Sequence, residues 1–206
     1  MASRRSEERQ RAVLDAALAV LERQGYAGTS MLDIAREARA SKETLYAWFG
    51  DKRGLFAALV ADNAAAVNAV IEAMPNGPAE TPIVDVLSEF GAALLTLLLG
   101  PRAIAINRAA AAEAARDGEL GRLLVASGRA ATGGRMVALL RDRAARGDIE
   151  IDDPEEAFSV FLGLLLRDLQ IQVLVGAMPA PDDEGLRRRA ETAADLFLRL
   201  YGRQRG

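Results

Sequence analysis

The sequence predicts an all-α fold of about nine helices in two parts, residues 1–55 and 56–206. Three observations carry this. Ala, Leu, Arg and Glu dominate, and β-branched runs are rare, a composition of good helix formers. Apolar residues recur at helical spacing, as in Val13, Leu14, Ala17, Leu18 and Leu21. Capping residues, glycines and prolines stand where such segments should begin and end.

Taken in order, the first helix should run from Ser6 to Gln24, stopped by Gly25 at a C′ position. Ser30 with Asp33 three residues on starts a short helix, Met31–Ala38. Arg39-Ala40-Ser41 reads as a tight turn, and Ser41 caps Lys42–Phe49. Gly50 breaks that helix, and Asp51 caps a long one, Lys52–Met74. Pro75-Asn76-Gly77-Pro78 is the clearest linker. Thr81 as N-cap with Pro82 at N1 opens a helix to Leu99, and Gly100-Pro101 starts another to Ala115. After the turn at Asp117-Gly118, a long helix reaches Arg146, irregular at Gly133-Gly134. Asp153-Pro154-Glu155-Glu156 combines an acidic N-cap, Pro at N1 and acids in the first turn, and opens Pro154–Val175. After the linker Met178–Pro181 the last helix spans Asp183–Tyr201.

Composition excludes several function classes. Half of the 206 residues are apolar and 27% are charged, enough for a packed core and a wet surface. Without Cys there are no disulfides, iron–sulfur clusters or thiol nucleophiles, and without His no His-ligated metals or Ser-His-Asp triads. Metals held by carboxylates alone stay open, but no cofactor or metal is expected. Gly128–Arg135 imitates a phosphate loop yet lacks the Lys-Ser/Thr pair and a preceding strand, so no enzyme is expected. The charged start MASRRSEERQR does not read as a secretory signal. The apolar runs at Leu94–Leu99 and Val160–Leu166 fall short of the about 20 residues a bilayer needs. A cytoplasmic protein is the expectation. The net charge of −3 conceals a contrast: residues 1–55 carry 10 Lys/Arg against 8 Asp/Glu, the rest 16 against 21. Both lysines, Lys42 and Lys52, lie in the basic part.

Thr29–Phe49 has the spacing of a helix-turn-helix. Ile34, Ala35, Ala38 and Leu45 fall where the two helices would pack, with Leu32 and Phe49 as further core. Lys42, Glu43, Thr44, Tyr46 and Ala47 form the other face of the second helix, polar and short-sided enough for a groove. Arg4, Arg5, Arg9 and Arg11 read as an arm reaching a duplex or as a solvated tail.

The residues Thr29–Ala35 and Ser41–Phe56, above all the core Leu45-Tyr46-x-Trp48-Phe49-x-x-Lys52, closely resemble the DNA-binding domain of TetR-family transcriptional regulators over about Arg11–Leu59. Segments 105–115, 147–157 and 162–169 resemble the AefR-type C-terminal domain. The resemblance implies that residues 1–55 bind double-stranded DNA. Thr29 would contact a phosphate, Ser41, Lys42, Glu43 and Thr44 would face the major groove, and Tyr46, Trp48 and Lys52 would take phosphate-contact positions. Tyr46 and Trp48 have packing as the alternative role, and both lysines ordinary solvation. Two departures stand out. The turn commonly carries Gly where Arg39 stands, and Arg adopts a positive φ only at some cost. Glu43 replaces a small residue. Phosphates repel it, yet it can accept from cytosine N4.

The resemblance further implies that residues 56–206 bind a small molecule and dimerise. Phe90, Leu94, Ile104, Asn107, Arg108, Met136, Leu140, Phe158 and Phe161 are the candidate pocket residues. The effector should be apolar, with Arg108 permitting an anion. Its binding would swing the fourth helix and weaken the grip on a palindromic operator. Pro154–Val175 is apolar nearly all round, so one of its faces needs a partner. A homodimer through Leu162, Leu166, Val173, Ala193, Leu196, Phe197 and Leu200 is expected. Arg167-Asp168, which interrupts that helix, is either exposed or interface-paired, or a polar group in the pocket. The competing reading is a helical dimeric interaction module without DNA binding.

Overall fold

The computed structural model describes residues 2–73, 80–116, 118–128 and 132–202. The expected linker Pro75–Pro78, Met74, Asp117, residues 129–131 and the side chains of Arg4 and Arg5 lie outside the described residues. Eleven helices are described: α1 (Ala2–Gly28), α2 (Met31–Glu37), α3 (Lys42–Phe49), α4 (Lys52–Glu72), α5 (Ile83–Leu99), α6 (Pro101–Glu113), α7 (Glu119–Gly128), α8 (Gly134–Ala145), α9 (Pro154–Leu166), α10 (Leu169–Leu174) and α11 (Asp183–Tyr201).

The two helices beyond the expected nine come from two breaks. The stretch expected to run to Arg146 is described as two helices, α7 and α8, with a π turn at Thr132-Gly133 beside the predicted Gly133-Gly134 irregularity and residues 129–131 outside the described residues. Pro154–Val175 breaks at Arg167, whose φ of 45° and ψ of −123° end α9. The sequence offers no breaker there. The break is held from outside, because Arg189 donates from Nε to Leu165 O (2.6 Å) and from Nη2 to Leu166 O (2.7 Å). These carbonyls lose their helical partners at the break, and a guanidinium fork satisfies both. Other ends follow their predicted chemistry. Asp153 accepts from Glu155 N (2.9 Å), and Asp51 accepts from Gly54 N (2.8 Å). Thr81-Pro82 differs: Pro82 is itself the N-cap and no side chain caps α5. At the amino end α1 starts four residues earlier than expected, so Arg9 and Arg11 stand on a helix, with Arg11 3.6 Å from Asp62. Gly25, at φ +69°, breaks α1 at the predicted place, and one further turn carries it to Gly28.

The chain packs as two compact units, and their limits differ from the expected division at residue 55. The first comprises residues 1–63 and 101–128. Val13, Ala17, Val20 and Leu21 of α1 meet Ile34 and Ala35 of α2, Leu45 of α3, Phe56 and Leu59 of α4, and Ile106 of α6 in one core. Arg102 of α6 pairs with Asp15 (3.0 Å) and Asp62 (3.3 Å), and Arg53 with Glu119 (3.2 Å).

The second unit comprises residues 64–100 and 129–206 and centres on α5 packed along α11. Gly91 permits their close approach: a Cβ there would stand 3.1 Å from Leu165 Cδ1 and 3.2 Å from Ala190 Cβ. Phe90, Phe158, Phe161 and Phe197 form its aromatic core, with ring centroids 5.8–6.4 Å apart. Arg143, 6% exposed, donates to Thr81 O and pairs with Asp148 at 2.8 Å. Among the described residues no single helix is long and apolar enough to cross a membrane.

Candidate nucleic-acid interface

The helix-turn-helix is built from caps inward. Ser30 Oγ accepts from Asp33 N (3.2 Å) and starts α2. At its other end Ala40 N donates to Ala35 O (2.9 Å) with Arg39 at φ 50°, the 6→1 bond and left-handed residue of a Schellman ending. The positive φ anticipated for Arg39 is therefore present. Ser41 Oγ then accepts from Thr44 N (3.1 Å), and the two hydroxyls bond to one another at 2.8 Å. After α3, Gly50 turns the chain at φ +76°. Gly54 lies so close that a Cβ would sit 2.0 Å from Phe49 O. The α3–α4 corner thus requires glycine.

Leu45 is fully buried and orients α3. Ser41, Lys42, Glu43, Tyr46 and Ala47 are exposed and Thr44 is half-buried. The structure brings these predicted residues onto one outward edge. Lys42 Nζ stands 5.5 Å from the Tyr46 ring centroid, a cation–π pair that orders both side chains. Glu43 has no partner among the described residues.

Three predicted contact residues are placed differently. Thr29 is 3% exposed and its hydroxyl donates to Gly25 O (2.7 Å). Its side chain is committed to the α1–α2 corner, not to the surface. Lys52 Nζ donates to Tyr26 O (2.9 Å) and Thr29 O (3.3 Å) and lies 4.0 Å from the Tyr26 ring centroid. Trp48 is half-buried, packed on the core of this unit and edge-on to Phe49. Leu32, expected in the core, is 43% exposed. Tyr26 had no signal in the sequence. It is 2% exposed, stacks edge-on against Phe56 at 5.0 Å, and its Oη has no partner among the described residues. Burial, reinforced by the charges of Glu119 and Glu113, pushes its phenol up to about 12.

The candidate pocket residues divide. Phe90, Leu94, Met136, Leu140, Phe158 and Phe161 are all buried in the second unit. Ile104, Asn107 and Arg108 belong to the first unit. Ile104 is buried there, Asn107 donates to Ala103 O (2.8 Å), and Arg108 is exposed. Two open clefts in the second unit, of about 260 and 460 Å3, are lined by other residues, Glu89 being common to both. The candidate dimer residues divide as well. Val173, Ala193 and Phe197 are 7%, 1% and 0% exposed, so they belong to the core of their own chain and not, as expected, to a partner face. Leu162, Leu166 and Leu196 are half-buried. Leu200 is exposed, and so are Ile171 and Val175, which the sequence pattern did not single out. Arg167 and Asp168 are exposed, and Asp168 accepts from Gln172 Nε2 (2.5 Å), so this pair belongs to the surface and not to a pocket.

Two family models match the chain: bacterial regulatory proteins of the tetR family over residues 13–59, and the AefR-like transcriptional repressor C-terminal domain over residues 85–203. The chain belongs to the TetR family. Within it, the HTH-type transcriptional repressor SCO4008 of Streptomyces coelicolor is 42% identical over 60 residues, a match spanning 29% of this chain and 31% of that repressor. A TetR transcriptional regulator of Agrobacterium tumefaciens is 37% identical, with a TM-score of 0.75 covering 95% of both chains. The flavonoid-responsive regulator FrrA is 29% identical, with a TM-score of 0.73 covering 96% of this chain and 99% of that one. Arg39 and Glu43, singled out above as departures from what the resemblance implies, are both exposed beside the turn into α3.

Proposed function

We propose that this TetR-family chain is a transcriptional repressor that binds a palindromic operator as a homodimer in the cytoplasm and is released by a small molecule. The observation that carries the reading is the outward edge of α3. A capped helix presents Lys42, Glu43 and Tyr46 together, fixed from behind by fully buried Leu45. Such an edge can lie in the major groove, where charge supplies affinity and base contacts supply sequence. Residues 1–55 carry the DNA contacts. Residues 56–206 carry dimerisation and effector binding, and no catalysis belongs to this reading.

Leu200, Ile171 and Val175, with the half-buried Leu162, Leu166 and Leu196, supply apolar surface on α9, α10 and α11 for a two-fold partner. The buried aromatic core of Phe90, Phe158 and Phe161 suits an apolar effector that inserts among the rings. FrrA is flavonoid-responsive, which makes a flavonoid the first probe. Effector binding would shift a population of head separations, with a coupling of about 1–3 kcal/mol.

The test is selection of duplexes from random sequence by the full chain, beside Tyr46→Ala. An enriched palindrome, weakened by salt and absent with the variant, is the expected outcome. A folded dimer that enriches nothing, with or without the flavonoid, sinks the reading in favour of a helical interaction module.

A further inference from the structure

We infer that the two lysines have separate tasks: Lys42 supplies charge to the DNA backbone, whereas Lys52 is a positioning residue that locks the corner between α1, α2 and α4. The inference rests on the DNA-binding reading above. Lys52 opens α4, where a free ammonium would face an incoming phosphate. Instead Nζ donates to two main-chain oxygens, Tyr26 O at 2.9 Å and Thr29 O at 3.3 Å. It also sits 4.0 Å from the centroid of the Tyr26 ring, itself buried. Those carbonyls belong to the last turn of α1 and the residue after it, beyond the break at Gly25; Tyr26 O also accepts from Thr29 N at 3.2 Å, so Lys52 joins both ends of this tight turn. The neighbouring carbonyl, Gly25 O, is taken by the Thr29 hydroxyl at 2.7 Å. One ammonium and one hydroxyl therefore tie down the segment that sets how α2 leaves α1. Lys42 has no such ties. It is exposed on α3, and among the described residues it touches only the Tyr46 face, at 5.5 Å.

The two roles separate by salt dependence. Deleting a charge that neutralises a phosphate reduces the slope of log K against log salt by about 0.9 and weakens all sequences alike. Deleting a positioning residue keeps the slope and weakens the matched operator more than unrelated DNA.

The experiment measures Kd for the enriched operator and for an unrelated duplex across a salt series, for wild type, Lys42→Met, Lys52→Met and Thr29→Val. Melting temperatures are recorded for all four, and active fractions are set by stoichiometric titration. Lys42→Met should lower the slope by about 0.9 for each phosphate that Lys42 neutralises. Lys52→Met should keep the wild-type slope while operator affinity falls on the order of tenfold and affinity for the unrelated duplex falls far less. Thr29→Val cannot touch DNA, being buried, and should repeat the Lys52→Met pattern in weaker form. A reduced slope in Lys52→Met, with both duplexes weakened equally, makes Lys52 a phosphate ligand and overturns the inference. A lowered melting temperature with unchanged Kd in the folded fraction makes it merely structural and overturns it too. Where Lys52→Met does not fold, Lys52→Arg decides: it keeps the charge, so unchanged operator affinity makes Lys52 a phosphate ligand and overturns the inference, whereas a loss confined to the operator at an unchanged slope supports it. If wild type shows no salt-dependent binding at all, the DNA-binding reading itself falls, which is a different result from either.

Discussion

Arg189 of α11 and Leu165 of α9 are joined by a 2.6 Å bond from the guanidinium Nε to the main-chain oxygen, and this bond sits at the break in what the sequence presents as one helix. A second arm of the same fork reaches Leu166 O at 2.7 Å. Burial, with Arg167 nearby, lowers the pKa of Arg189, yet an arginine stays charged at any ordinary pH. Its removal leaves two carbonyls without partners. Arg189→Met should destabilise the chain by about 2 kcal/mol, and Arg189→Lys, which cannot fork, by about half of that. Urea unfolding with an unchanged m-value checks both. An undisturbed midpoint in Arg189→Met would mean the break holds without its clamp.

Two arginines occupy backbone that favours glycine: Arg39 at φ 50° and Arg167 at φ 45°. Each carries conformational strain of about 1–2 kcal/mol, partly offset because glycine loses more entropy on folding. Arg39→Gly and Arg167→Gly should therefore each raise stability by about 0.5–1 kcal/mol. The two sites lie in different compact units, so the gains should add. Calorimetry on the single and double variants reads this directly.

The contrast between these two arginines shows what the sequence made legible. Arg39 lies in the turn that Ser41 closes, and its unusual backbone was to be expected from the resemblance, which commonly has Gly there. Arg167 ends an apolar run whose one glycine, Gly163, stays helical, and the side chain that clamps the break is Arg189, more than twenty positions on. Long-range clamps leave no local trace. The same holds for Lys52 and Thr29. Their place in the motif was readable, but their hydrogen-bond partners are main-chain oxygens, which every residue possesses. Phe197 and Ala193 show a third limit. Periodicity identifies an apolar stripe but not whether the chain's own core or a partner covers it: Ala193 and Phe197 are buried in the core, whereas Leu196 and Leu200 of the same stripe stay accessible.

Tyr26 carries a buried phenol whose oxygen has no partner among the described residues. Tyr26→Phe should leave stability unchanged or raise it by up to about 1 kcal/mol, because a desolvated hydroxyl is removed while the ring packing against Phe56 stays. The pH dependence has a definite sign. The folded-state pKa of about 12 exceeds the ordinary 10.0, so this contribution is intact below pH 10 and declines as pH rises toward 12. The stability difference between wild type and Tyr26→Phe should accordingly move against wild type across that window. A Tyr26→Phe chain clearly less stable at pH 7 would show that a water or another donor satisfies the phenol.

Leu200 is 62% exposed and Val175 67% exposed, so neither holds its own chain together. Leu200→Arg and Val175→Glu should fold with near-native melting of the monomer, yet weaken self-association on the order of tenfold or more, since a charge would be buried against an apolar partner face. Sedimentation velocity over a concentration series distinguishes this from a mutation without effect. Wild-type dimer affinity in both variants would move the interface away from α10 and α11.

Glu43 is exposed in the first turn of α3 and lacks a partner among the described residues, whereas its neighbours are engaged: Ser41 with Thr44, and Lys42 with Tyr46. A carboxylate only accepts hydrogen bonds, so in the major groove it suits an amino group such as cytosine N4. Glutamine both donates and accepts, and its bidentate match is adenine. Selection with wild type should therefore enrich cytosine at one position of each half-site, and selection with Glu43→Gln should shift that position toward adenine by a factor of about 10. Removing the charge also removes repulsion from phosphates, so Glu43→Gln should bind unrelated DNA somewhat more tightly, and Glu43→Ala should do the same while reading that position loosely. If all three proteins enrich one and the same motif, Glu43 reads no base and its charge acts only as a brake on non-specific binding.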